Sequence, residues 1–189
     1  MKSLMLSWKN STTPTKESFQ NRIILGIDPG IANTGYALLQ EKEGALALLD
    51  HGVIITKKGP TPARIKQIYD FLHSIIDQYS VSALSIEKIF FNKNVKTAMI
   101  IEEVRGAILL LSAQHNLPIS QYTPLQVKKN LTLFGKASKL EVKMIAEQIL
   151  HTKLPTSDDA CDAVAVALCL SMMGSHTEDI DDFFDSGAD

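Results

Sequence analysis

Apolar residues along this chain fall into two rhythms, and each change of rhythm marks an element. Ile23–Ile27 is an apolar run broken by Pro29-Gly30, as a strand ending in a turn would be. Thr34–Leu39 and Ala47–Thr56 are two more such runs, with Gly30 and Asn33 in the first connection and Glu41–Gly44 in the second. Three strands joined by short turns predict an antiparallel meander. The period then lengthens. Thr61-Pro62 reads as an N-cap and first-turn proline, opening a helix to about Tyr79 with Ile65, Ile68, Leu72, Ile75 and Ile76 on one face. Val81–Ile86 is nearly all apolar, which suits a central strand covered on both faces.

The second half alternates helix and strand. A long helix is predicted over about Val95–Asn116 and a fifth strand over Leu117–Tyr122. Thr123-Pro124-Leu125-Gln126 fits a capping box for a short helix, and Ser138-Lys139-Leu140-Glu141 fits another, opening a helix to about Leu150. Pro155-Thr156-Ser157 starts a last helix that runs to about Met173. A meander followed by helical crossovers predicts an α/β fold with a mixed five-stranded sheet flanked by helices. Residues 21–173 form this domain, preceded by a Ser/Thr/Lys-rich arm over 1–20 and followed by an acidic tail over 174–189 that reads as disordered.

Composition adds bounds. The chain has 189 residues, enough for one domain with a sizeable core, and no apolar run approaches a membrane span. Met1–Lys9 turns polar after a few apolar residues, which argues against a cleaved signal. Cys161 and Cys169 fall eight residues apart on one predicted helix, about 12 Å at 1.5 Å per residue, so they cannot bridge there. A reducing cytoplasm is the default expectation. The net charge of −2 conceals a partition, because 1–20 carries three lysines and one acid while 174–189 carries six acids and no base. Residues 21–173 therefore hold sixteen basic and fourteen acidic residues, a balance that suits a polyanionic substrate without demanding one.

Four carboxylates stand out by position. Asp28 ends the first strand, Glu87 ends the buried fourth, and Asp159 and Asp162 share one face of the last helix at i and i+3. Each has an ordinary reading: Asp28 as a turn residue before Pro-Gly, Asp159 as a first-turn helix acid. Glu87 is harder to dismiss, because it ends an apolar strand. Ligands collect beyond strand ends where connections diverge, and Asp28 and Glu87 become neighbours if strands one and four are adjacent. Four convergent acids suit Mg²⁺ or Mn²⁺, and two such ions would serve an in-line displacement at phosphorus. No His/Cys cluster has zinc spacing, and no Ser-His or Cys-His arrangement stands out.

In order and spacing these residues resemble the RuvC family of Holliday-junction resolvases, within the RNase H-like superfamily. The resemblance rests on Ile24-Leu25-Gly26-Ile27-Asp28-Pro29-Gly30 with Thr34-Gly35-Tyr36, on Ile86-Glu87 with Phe90 and Asn94, and on Val104-Arg105-Gly106-Ala107. Gln126-Val127-Lys128 and Asp159-Ala160-Cys161-Asp162-Ala163 complete it, across about 23–170. It implies that Asp28, Glu87, Asp159 and Asp162 bind catalytic metal, about two Mg²⁺ or Mn²⁺ ions per site. It implies that Lys128 and Lys139 lie near the scissile phosphate and that Phe90 stacks on opened bases. It implies a homodimer nicking a DNA four-way junction symmetrically, with the helix of Arg105 and Gly106 as interface, and a partner complex of the RuvA and RuvB type for junction binding and branch migration. The apolar positions of that helix (Ile100, Ile101, Val104, Ile108, Leu111) fit either an interface or packing on the sheet. The arm precedes the usual family start, and the tail could dock on a basic groove or mimic DNA.

Three other functions share parts of this pattern. Asp28-Pro29-Gly30 with Thr34-Gly35 also resembles the phosphate turn of sugar kinases and related ATPases, but those need a second such domain, for which the chain is too short. An RNase H-like nuclease acting on RNA–DNA hybrid or structured RNA would use the same acids. A catalytically dead junction-binding module would not need all four.

Overall fold

The computed structural model describes residues 21–88 and 95–173. Its sheet has five strands, β1 (Asn21–Asp28), β2 (Asn33–Lys42), β3 (Ala45–Ile55), β4 (Ala83–Glu87) and β5 (Ile119–Tyr122), in the order β3-β2-β1-β4-β5. The first three pair antiparallel, and β1–β4 and β4–β5 pair parallel, so the sheet is mixed as predicted. The β2–β3 hairpin runs longer than its apolar stretch, because backbone pairing continues through polar residues to a two-residue turn. That turn, Glu43-Gly44, has positive φ at both positions (51° and 80°), the sign that suits the twist of paired strands.

Among the described residues, five helices cover the sheet: α1 (Thr61–Tyr79), α2 (Val95–Gln114), α3 (Pro124–Thr132), α4 (Lys139–Leu150) and α5 (Asp158–Met173). Both predicted capping boxes form, Thr123 with Gln126 and Ser138 with Glu141. The start of α1 differs from the expectation. Pro60, not Thr61, holds the cap position; it is extended there, and its carbonyl accepts from the Ala63 and Arg64 N–H groups.

Strand alternation sorts the core into two layers. Leu25, Ile27, Leu38, Leu84 and Ile86 pack on Ile68, Leu72, Ile75 and Ile76 of α1 and on Val104, Ile108 and Leu111 of α2. Ile24, Ala37, Leu39 and Ala83 pack on α3, α4 and α5. Helix α5 is apolar almost all round, since it lies between the sheet and α3 and α4. Among the described residues, no helix is long and apolar enough to cross a membrane. Cys161 and Cys169 are free thiols, and burial pushes Cys169 up to about 12.

The packing of α2 accounts for three of its five apolar positions, while Ile100 and Ile101 are half-buried. Val104, Ile108 and Leu111 are buried toward the sheet, while Met99, Gly106, Leu109 and Leu110 face outward. Arg105, on the same helix, is 5 % exposed and turned inward. Phe90 and Asn94 lie outside the described residues, as do the 1–20 arm and the 174–189 tail.

Candidate active site

Two strand ends and one helix build the cleft. Along β1, Ile24, Gly26 and Asp28 share a face; along β4, Ala83, Ser85 and Glu87 share the same one. The parallel register pairs Gly26 with Ser85 and Ile27 with Ile86, so Asp28 and Glu87 leave the sheet side by side at its carboxyl edge.

Helix α5 reaches this edge because the strands below it lack side chains where it crosses. A Cβ on Gly26 would lie 2.2 Å from the Ala163 carbonyl oxygen, and one on Gly35 would lie 1.9 Å from that of Asp159. Gly35 is the register partner of Asp28, so the first turn of α5 rests beside that carboxylate. Ser85 anchors the same helix from β4, its buried Oγ donating to the Val166 carbonyl at 2.7 Å. Asp28, Glu87, Asp159 and Asp162 thereby line one cavity of about 410 Å³, walled also by Pro124, Val127, Lys128, Lys139 and Val142. All four acids and both lysines singled out by sequence meet here.

The electrostatics are those of crowded anions. Burial, then the charges of Asp162 and Asp159, raise Asp28 to about 7. Burial, then Asp28 and Asp162, raise Glu87 to about 8. Lys139 offsets part of this, its Nζ lying 2.6 Å from Asp162 Oδ2 and 3.8 Å from Asp158 Oδ2. Burial alone would pull Lys139 down, but the Asp162 hydrogen bond and the Asp162, Asp158 and Asp28 charges hold it above the ordinary lysine range. This donor set fits a hard divalent cation: every ligand on offer is a carboxylate oxygen, and the anionic charge exceeds what Lys139 balances.

Sequence reasoning missed what supports Glu87. The Arg105 guanidinium donates to the Glu87 backbone carbonyl and to Gln121 Oε1, and its Nε sits 3.2 Å from the Glu102 carboxylate. A buried arginine on a helix packed against the sheet was the available signal, but its partner could not be read from spacing.

A cleft of half-buried carboxylates at the carboxyl edge of this sheet, flanked by lysines, fits a metal-dependent nuclease of RNase H-like fold. Comparison with known proteins narrows that class. The chain belongs to the RuvC family: the family model described as crossover junction endodeoxyribonuclease RuvC matches residues 24–170. The crossover junction endodeoxyribonuclease RuvC of Alkaliphilus oremlandii is 43% identical over 158 residues, covering 82% of this chain and 96% of that protein. Its namesake from Pseudothermotoga lettingae is 42% identical over 149 residues, covering 78% and 92%. Among solved structures, T. thermophilus RuvC in complex with Holliday junction substrate has a TM-score of 0.76 at 28% identity, covering 80% of this chain and 94% of that one.

Proposed function

We propose that this chain is an endodeoxyribonuclease that resolves DNA four-way junctions by symmetric nicks, using Asp28, Glu87, Asp159 and Asp162 to hold divalent metal. The observation that carries the reading is the shared cavity of these acids with Lys128 and Lys139, in a chain that matches the RuvC family over 24–170. Two Mg²⁺ ions, or Mn²⁺ in their place, would supply a nucleophilic water at neutral pH and charge stabilisation at the leaving oxygen.

The protein's own part is placement. Gly26 and Gly35 let α5 close on the strand ends, which brings Asp159 and Asp162 to Asp28 and Glu87. Arg105 holds the backbone from which the Glu87 side chain projects. Lys139 donates to Asp162 and lines the cleft, where its ammonium would stabilise charge building on the phosphate. Lys128, on α3, lines the same cleft and would contribute a second cation near the phosphate. Phe90, three residues past Glu87, would stack on bases opened at the junction.

Two copies would act together. The outward face of α2, with Met99, Gly106, Leu109 and Leu110, offers a helix surface for a two-fold interface, and protein symmetry would then match junction symmetry. The test offers purified protein a four-way junction, a duplex of the same sequence and an RNA–DNA hybrid, with and without Mg²⁺. Paired nicks in the junction alone, dependent on Mg²⁺, are expected. Cleavage confined to the hybrid would overturn the assignment.

A further inference from the structure

On the side of the sheet away from the cleft, α1 and α2 present three metal-ligating side chains to one another. His73 and Asp77 lie four residues apart on α1, and His115 follows the last turn of α2. Their ligand atoms all fall within 4.8 Å of one another. Asp77 Oδ2 is 3.2 Å from His73 Nδ1, and Asp77 Oδ1 is 3.8 Å from His115 Nδ1. The two imidazole rings meet edge to face, their centroids 4.8 Å apart and their planes inclined at 75°.

An i,i+4 His–Asp pair alone is an ordinary ion pair on a helix surface. The third group, from a different helix, makes this a site. In a tetrahedral centre with bonds of about 2.0–2.1 Å, ligand atoms are separated by about 3.3 Å. Each imidazole faces its own Asp77 oxygen, at 3.2 Å for Oδ2 and 3.8 Å for Oδ1, and with all three ligand atoms within 4.8 Å of one another only small side-chain rotations separate this arrangement from a coordinated one.

The ligands also stand on rigid backbone. Leu72, Ile75 and Ile76 of α1 are buried in the same layer as Ile108 and Leu111 of α2, which fixes the separation of the two helices. His115 continues the helical ladder, its N–H donating to the Leu111 carbonyl at 3.1 Å. Neighbouring contacts hold the patch: the Tyr69 hydroxyl bonds Gln114 Oε1, and the Tyr69 and His73 rings are 6.1 Å apart. His115 is mostly covered, with its side chain 20% exposed, while Asp77 is open to solvent.

We infer that His73, Asp77 and His115 form a second metal site, selective for a borderline ion of the Zn²⁺ class and separate from the carboxylate cleft. Two imidazoles and one carboxylate favour Zn²⁺ or Co²⁺ over Mg²⁺, which prefers oxygen and keeps its waters. Bound there, the ion clips the end of α1 to the end of α2, the helix whose Arg105 supports Glu87. Its role is structural, and it does not depend on which nucleic acid the cleft cuts.

The test uses the full chain, stripped with EDTA and held in millimolar Mg²⁺ so that the carboxylate cleft is taken by its own ion. Zn²⁺ is titrated by calorimetry, and Co²⁺ by its visible absorption. The parent is expected to bind one equivalent, with the intense absorption of a four-coordinate centre and a raised Tm. His73→Ala and His115→Ala should each weaken binding by at least roughly 10-fold, the lower end of what losing even an outer-shell partner costs. Asp77→Asn should weaken it too, and Glu87→Gln should leave it intact. The His73, Asp77 and His115 variants should keep a near-parental Tm in EDTA, which separates lost ligation from lost folding. Equal affinity in the parent and both histidine variants would overturn the inference. So would loss of the Zn²⁺ signal in Glu87→Gln or its abolition by Mg²⁺, either of which would assign the ion to the carboxylates.

Discussion

Replacing Asp28 with asparagine should stabilise the metal-free protein at alkaline pH while destroying its cleavage. Asp28 is held near 7 in the folded chain against an ordinary value of 3.8, first by burial and then by Asp162 and Asp159. An acid raised on folding contributes most below its unfolded value, and that contribution is lost as pH climbs to the folded value. At about 1.36 kcal/mol per pH unit, the penalty is roughly 1.5 kcal/mol at pH 5 and about 4 kcal/mol above pH 7. The asparagine cannot ionise, so the advantage of the Asp28→Asn variant over the parent should grow by about 3 kcal/mol between pH 5 and pH 8. For a domain of this size that is a relative shift of about 5–10 °C in Tm. Glu87, raised to about 8 partly by Asp28, adds to the parent's loss and should ionise more readily in the variant. The assay is thermal unfolding in EDTA across that pH range, then again with Mg²⁺. Mg²⁺ should restore the parent at pH 8 and do little for Asp28→Asn. A parent Tm flat from pH 5 to pH 8 in EDTA, or an Asp28→Asn protein no more stable than the parent at pH 8, would refute the reasoning.

Other perturbations test the supporting parts. Lys139→Ala should lower kcat for junction nicking by about 10²–10³, the cost of one transition-state donor, with junction affinity nearly kept; an unchanged single-turnover rate would remove Lys139 from the chemistry. Gly35→Ala puts a methyl where the Asp159 carbonyl now rests, so the variant should lose about 1–3 kcal/mol in urea unfolding and most of its Mg²⁺-dependent cleavage. Retention of both would mean that α5 does not need that close approach. Arg105→Met strips the buried Glu87 carbonyl of its donor and should cost about 1–3 kcal/mol of stability. It should also raise the Mg²⁺ concentration needed for half-maximal cleavage, and a loss of stability with an unmoved Mg²⁺ requirement would make Arg105 a packing residue alone.

Much of the cleft was legible in the chain. The alternation that makes Ile24 and Ala83 one face and Leu25 and Leu84 the other is local, as is the break at Pro29-Gly30. Thr123-Gln126 and Ser138-Glu141 announced their helices because a capping box is satisfied within four residues. Asp159 and Asp162 shared a face by helix geometry alone. The family resemblance supplied the lysines, and it named the helix of Arg105 without saying which way Arg105 turns.

Convergence was another matter, because it depends on pairs far apart in sequence. Whether Asp28 stands beside Glu87 turns on β1 pairing with β4, a non-local hydrogen-bonded register that no single segment encodes. Gly26 and Gly35 read as turn or strand glycines until α5 lies 2.2 and 1.9 Å from where their side chains would be. A charged Arg105 among apolar neighbours gains its meaning only from the Glu87 carbonyl it covers, eighteen residues away. His73 and Asp77 shared only the i,i+4 spacing of an ordinary helix-surface pair, and His115 joins them because two helices packed through buried aliphatics bring it there. Local patterning along the chain set the elements and the kinds of residue at their ends. The tertiary structure decided which ends meet, because that choice is made by packing and register between segments and not by the propensities within them.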